Sequence, residues 1–138
     1  MDTLKIPFTK HIGITRSEEE ESLELPFREQ IKNHLGTVHA GAQFTLAACS
    51  SGEYLQKLLP ELIGKVVPVI RHAEVKFQKP ARCQIQAFPS VAPDAIETFK
   101  SQLNNKGRAL ISIQVDVKDI EGAVTTTATY QWFIQLIE

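Results

Sequence analysis

The sequence predicts an α+β fold in which a largely antiparallel sheet curls round one long apolar helix. Three observations carry this expectation. From Val38 to Gly52 a segment of helical character contains no Asp, Glu, Lys or Arg. Two C-terminal segments alternate apolar and polar residues with the period of two expected of half-buried strands. The chain, at 138 residues and 15.4 kDa, is long enough for a single core and short for two.

Residues 12 to 27 read as two short strands, the second being Ser22 to Phe27 with Leu23, Leu25 and Phe27 on one face. The run Glu18 to Glu21 marks the solvated end of that hairpin. After the polar stretch Arg28 to Gly36, residues 39 to 59 read as a helix that stops at Leu58-Leu59, just before Pro60. A helix without a charged face over four turns has to be enclosed by protein on most sides. It is too short to cross a bilayer, so the covering must come from the rest of the chain and from a second subunit. The covering strands are Val66 to Phe77, Arg82 to Phe88, Gly107 to Lys118 and Ala123 to Ile137, punctuated by Pro80 and by the turn Ile120-Glu121-Gly122. In the third of these, Ile111, Ile113, Val115 and Val117 share a face. In the fourth, Val124, Ala128, Tyr130, Trp132, Ile134 and Leu136 do so. Between strands, Asp94 to Leu103 has the spacing of a short surface helix, with Ile96, Phe99 and Leu103 on its apolar side and a turn at Asn104-Asn105-Lys106-Gly107. An open sheet of this kind leaves edges that subunit pairing can cover, so a homodimer or homotetramer is expected.

Charge and cysteine usage narrow the function. Lys plus Arg number 15 against 16 Asp plus Glu, which gives no basic surface for nucleic acid or an anionic membrane. Cys49 and Cys83 form no CxxC pair and no disulfide framework. The N-terminus lacks a basic region followed by an apolar one, and no stretch reaches the ~18 apolar residues of a membrane span. These features predict a soluble protein of the reducing cytoplasm.

The chemistry is concentrated at Asn33-His34-Leu35-Gly36-Thr37-Val38-His39-Ala40-Gly41, where a loop becomes the start of the long helix. The first N–H groups of a helix have no intrahelical acceptor, and the helix dipole adds to their attraction for an oxygen gaining negative charge. Small residues at 40 and 41 let such an oxygen approach the backbone. With the helix that follows, this stretch resembles the phenylacetyl-CoA-thioesterase-like branch of the hotdog superfamily, whose motif runs Asn, Gly-Thr, one residue, His-Gly-Gly, then an apolar helix. Val75-Lys76-Phe77-Gln78-Lys79-Pro80-Ala81 resembles the strand end that follows the helix in the same superfamily. The resemblance implies a hotdog fold and an acyl-CoA thioesterase that takes a coenzyme A thioester as substrate and needs no cofactor. It implies that the N–H of Ala40, or else of Gly41, donates to the thioester carbonyl, and that Asn33 holds that carbonyl or the attacking water.

Three positions depart from the pattern, of which Ala40, in place of the first Gly after the His, is a mild change that keeps the N–H. The family's helix carboxylate, its general base or nucleophile, falls at Ala48, and a Ser or Thr common on the next strand falls near Ile70. Candidate replacements are Glu53, five residues on and rotated well round the helix, and His72 with Glu74, which share a strand face with Ile70 and could project towards the thioester. Glu53 better suits a solvated or ion-paired residue where the helix emerges, and His72 and Glu74 equally suit an ordinary polar strand face with Lys76. Cys49 beside Ala48 invites a thiol nucleophile with His39 as base, against the plainer role of a small core residue. His34 and His39, with no Cys or carboxylate at ligand spacing, make no metal site. His39 reads as the residue that fixes the loop by hydrogen bonding, and Ser50 and Ser51 as residues that lighten packing at a subunit seam. Lys76, Lys79, Arg82 and Arg108 at strand ends are candidates for the coenzyme A phosphates.

Three activities compete. An acyl-CoA thioesterase comes first. A hotdog protein that binds an acyl-CoA or fatty-acyl chain without cleaving it comes second, because Ala48 is not a carboxylate. Dehydratase or hydratase chemistry comes last, since it needs a His paired with Asp or Glu.

Overall fold

In the computed structural model, which describes residues 1–18 and 21–137, the chain order is α1 (Pro7–Ile12), β1 (Thr15–Arg16), β2 (Leu23–Leu25), α2 (Ala40–Leu58), β3 (Val66–Phe77), β4 (Ile85–Ser90), α3 (Ala95–Lys106), β5 (Arg108–Asp119) and β6 (Val124–Leu136). All strand pairs are antiparallel, in one six-stranded sheet of order β1-β2-β4-β5-β6-β3. The expected sheet round a central helix is therefore present. Leu46 and Ala47 of α2 are fully buried against the inward residues Ile113, Val115 and Val117 of β5 and Tyr130 of β6. The alternation on β5 is complete, each inward residue buried and each outward one from Arg108 to Asp116 exposed.

Element ends differ from the expectation where local chemistry decides them. The N-terminal helix α1 was not foreseen, although Pro7 at its first position and Gly13 at its left-handed C-cap (φ 85°) are ordinary boundary signals. It absorbs Ile12, so the first hairpin shrinks to β1 and β2, and Phe27 lies beyond the strand under the Lys32 ammonium. Of the acidic run, Glu18 and Glu21 are exposed, and Glu19 and Glu20 lie outside the described residues. β4 starts at Ile85 rather than Arg82 and runs through Pro89. Pro89 is tolerated because β2 pairs only with Ile85 and Gln86, which leaves this part of β4 with a neighbour on one side alone. Helix α3 continues through Asn104, Asn105 and Lys106 and is stopped by Gly107 at φ 71°.

A β-bulge alters the facing of β3. Ile70 pairs with Trp132 and His72 with Gln131, so Arg71 is an extra residue between consecutive partners on β6. One inserted residue reverses the alternation beyond it. Ile70 thus faces α2 with Pro68, whereas after the bulge it is Ala73 and Val75 that pack inward. His72, Glu74 and Lys76 are turned to the opposite, convex face, all three exposed.

Inside the sheet, a polar knot holds the first turns of α2. The side-chain oxygen of the buried Gln43 accepts from the hydroxyls of Thr125 at 2.7 Å and Thr126 at 2.6 Å. Further along, the Trp132 indole donates to Ser51 Oγ at 3.0 Å, which itself donates to the Ala48 carbonyl at 2.7 Å. Gly52 makes room for this, since a Cβ there would stand 3.1 Å from the indole ring. Ser51 therefore serves packing within the chain rather than a subunit seam. Replacing Gln43 by Ala strips Thr126 of its acceptor and leaves Thr125 only a 3.3 Å contact to the Val117 carbonyl. Urea unfolding should show a loss of about 2–3 kcal/mol for Gln43→Ala. A loss below about 0.5 kcal/mol would mean that the knot adds nothing net to stability.

Candidate active site

The loop before α2 is shaped by Asn33. Its side-chain oxygen accepts from the N–H groups of Leu35 at 2.9 Å and Thr37 at 3.1 Å, and its amide donates to Thr37 Oγ1 at 2.8 Å. A Lys32–Val38 bridge closes the loop, and Val38 N–H donates to the Ala81 carbonyl at 2.8 Å, which ties the loop to the segment after β3. Asn33 Oδ1 is thus committed to the backbone, and one amide hydrogen is left for a substrate or water. The buried Thr37, which the sequence did not single out, anchors that hydrogen-bond set.

His39 is the N-cap of α2, extended at φ −60° and ψ 138°. Its Nδ1 accepts from Gly41 N–H at 2.8 Å, which puts the proton of the neutral ring on Nε2, on an exposed side chain. Gly41 N–H is thereby occupied, so of the two candidate oxyanion donors Gly41 is set aside. Ala40 N–H meets no acceptor among the described residues and opens to the surface. One free backbone donor and one imidazole N–H therefore stand together at the positive end of α2.

The candidate bases do not join them. Glu53 is buried on a different side of α2, where it accepts from Arg16 at 2.6 Å and lies 3.8 Å from Lys57 Nζ. Its carboxylate raises the pKa of the Arg16 guanidinium, chiefly through that hydrogen bond. This is the ion pair of the plainer expectation, and it removes Glu53 from the chemistry. His72 and Glu74 are removed by the bulge, which sets them 3.5 Å apart on the convex face. Lys76 shares that face. Lys79 and Arg82 are exposed at the Ala81 end of the sheet, beside the His39 loop. Arg108 pairs in line with Gln135 and Val67 at the other end, nine residues along β5 from the Val117 row and so about 30 Å away. It cannot join Lys79 and Arg82 on one nucleotide within a single chain.

Ala48 and Ile70 face the same space. Together with Trp132 and Gly52 they line a cavity of about 500 Å³ between α2 and the inner face of β3 and β6, which opens to the surface past Phe8 and Ile63. Cys49 lines it too, with its thiol 3.2 Å from Thr9 Oγ1. Burial raises the Cys49 pKa, so its thiolate is scarcer than that of a free cysteine at any given pH, contrary to a nucleophile's need. Among the described residues no three His, Cys, Asp or Glu side chains come together as a metal site, and no helix is long and apolar enough to cross a membrane. Alkylation by iodoacetamide at pH 8 should modify Cys49 at least ~10-fold more slowly than a free cysteine. Peptide mass mapping over time measures this, and equal rates would restore the thiol as a nucleophile.

No curated protein matches the chain. Several solved structures share its fold. One is a Pseudomonas aeruginosa protein of unknown function described as a probable thioesterase, 21% identical, with a TM-score of 0.78 over 98% of this chain and 91% of that one. A Haemophilus influenzae thioesterase is 18% identical, with a TM-score of 0.75 over 98% and 87% of the two chains. A Bacillus halodurans protein crystallised with CoA is 20% identical, with a TM-score of 0.71 over 92% and 74%. At these identities the likeness is one of fold, and the fold is the hotdog. Residues 2–134, nearly the whole chain, match the family described as "Domain of unknown function (DUF4442)", and the chain belongs to that family.

Proposed function

We propose that the chain is an acyl-CoA thioesterase, and the observation that carries the proposal is the unpaired Ala40 N–H at the start of α2. The thioester carbonyl oxygen accepts from Ala40 N–H and from His39 Nε2–H. Both donors strengthen as the oxygen becomes an oxyanion under attack by water. Water adds to the carbonyl carbon, the C–S bond breaks, the thiolate of coenzyme A leaves and takes up a proton, and the fatty acid is released. The free Asn33 amide hydrogen orients the water or the carbonyl. Lys79 and Arg82, at the same end, face the phosphates of the nucleotide. The described CoA complex of a protein with this fold agrees with such a ligand.

Two copies are needed for a whole site. Ala40 and Ala48 are eight residues apart on one helix, which is about 12 Å at the helical rise, too far for one thioester to touch both. β3 is a twelve-residue edge strand with Val67, Val69 and Phe77 about half exposed. Two copies joined along β3 about a two-fold axis would lay their α2 helices alongside in opposite directions, and a whole site requires the register that sets Ala40 of one opposite Ala48 of the other. The assembly is a homodimer, or a homotetramer of two such pairs, in the reducing cytoplasm where both free cysteines stay thiols.

A second reading has one observation in its favour: no carboxylate lines the cavity at Ala48. On that reading the protein holds an acyl-CoA without cleaving it. A thiol-release assay over acyl-CoAs of graded length separates the two. Ala40→Pro is the sharpest variant, because proline at the first helical position removes the N–H and suits the extended His39 before it. It should lower kcat/KM by roughly 10²–10³ with little change in melting temperature. Unchanged kcat/KM in a folded Ala40→Pro protein would sink the oxyanion role. Ala48→Asp should raise kcat by roughly 10² or more if polarisation alone drives the wild type, with melting recorded because a buried carboxylate is costly.

A further inference from the structure

We infer that Leu35, at the tip of the Asn33 loop, docks in the mouth of a second copy's cavity against Ile63 and Phe8, an inference that rests on the two-copy arrangement proposed above and not on the thioester chemistry. Leu35 is 71% exposed and packs against no part of the core among the described residues. Its N–H is held by Asn33 Oδ1 at 2.9 Å, and Gly36 turns the chain back at φ 77°, so the loop offers this one large apolar side chain to a partner. A single exposed leucine is ordinary. The cavity mouth is not. Phe8 at 59% exposed, Ile63 at 49% and the exposed Met1 stand round one opening as an apolar rim that a lone chain leaves in water.

Two-fold symmetry brings loop and rim together. In the register that sets Ala40 of one copy opposite Ala48 of the other, the axis passes at the level of Phe44, midway between them. Phe44 is tied to Tyr130, whose hydroxyl donates to the Phe44 carbonyl at 2.7 Å, and Tyr130 pairs with Ala73 on β3. The axis therefore crosses β3 near Ala73, and residues equally far from Ala73 face each other across an antiparallel seam. Lys65, eight residues before it, comes opposite Ala81, eight residues after it. The Ala81 carbonyl accepts from Val38 N–H at 2.8 Å, and Val38 closes with Lys32 the loop that has Leu35 at its tip. Ile63 stands two residues before Lys65, so the rim of one copy lies beside the Leu35 loop of the other. The same loop carries Asn33 and leads to His39, so the docking delivers both to the Ala48 cavity of the second copy.

The test places Leu35→Cys and Ile63→Cys in separate full-length chains, co-expresses them and oxidises the purified protein with glutathione disulfide. Peptide mass mapping should find residues 35 and 63 joined between chains. Leu35→Asp, in an exposed loop, should keep the wild-type circular dichroism and raise the dimer dissociation constant at least ~100-fold in sedimentation, because each of two symmetric contacts loses an apolar burial and encloses a carboxylate. Mixing Leu35→Asp chains with Ile63→Lys chains should recover at least ~10-fold of that loss, since residues 35 and 63 are then oppositely charged. A wild-type dimer with no 35–63 link and no response to Leu35→Asp overturns the docking and leaves the β3 pairing standing. A monomeric wild type overturns both. A 35–63 link in a protein that releases no thiol from any acyl-CoA supports the docking and refutes the enzyme.

Discussion

The structure depends on one constraint: a helix with no charged residue from Val38 to Gly52 has to be kept from water on nearly every side. The sheet meets this by alternating its inner residues against Leu46 and Ala47, and by answering the polar atoms that α2 does carry. Gln43 finds two threonine hydroxyls and Ser51 finds the Trp132 indole. Within that uncharged stretch only the N-cap and the first turns of α2 remain outside, with His39, Ala40 and Gly41 exposed and Phe44 at 37%. The exposed turn carries the free backbone donor, so what the core fails to cover is also what can meet a ligand.

Much of this was legible in the residues. The limits of α2 were readable to within a residue because His39 and Pro60 bound a segment whose burial is decided by composition. The alternation of β5 and β6 was readable because each strand repeats its signal many times. What stayed hidden was set by single events. One inserted residue at Arg71 turns His72 and Glu74 away from Ile70, and no property of Arg71 itself announces a bulge. Glu53 was visible as a carboxylate, but its partner Arg16 is thirty-seven residues away in sequence, on another element.

The site was legible as a motif and not as geometry. Sequence placed two free N–H groups at the start of α2, and only the ring orientation of His39 shows that Gly41 is taken and Ala40 is not. Asn33 was expected to act on the substrate, yet most of its bonding capacity holds the loop. The cavity could not be foreseen at all, since it needs α1 and the residues before it, which pattern reading passed over.

The uncovered edge of β3 has a further consequence for how the chain survives its own folding. A strand of twelve residues that offers its backbone to any extended segment is a template for uncontrolled stacking until a legitimate partner arrives. Three interruptions guard it. Pro68 has no N–H to give, the bulge at Arg71 twists the strand, and Lys76 sets a charge near its end. An intruding peptide therefore finds no continuous ladder, and the exposed edge is a poor template for stacking.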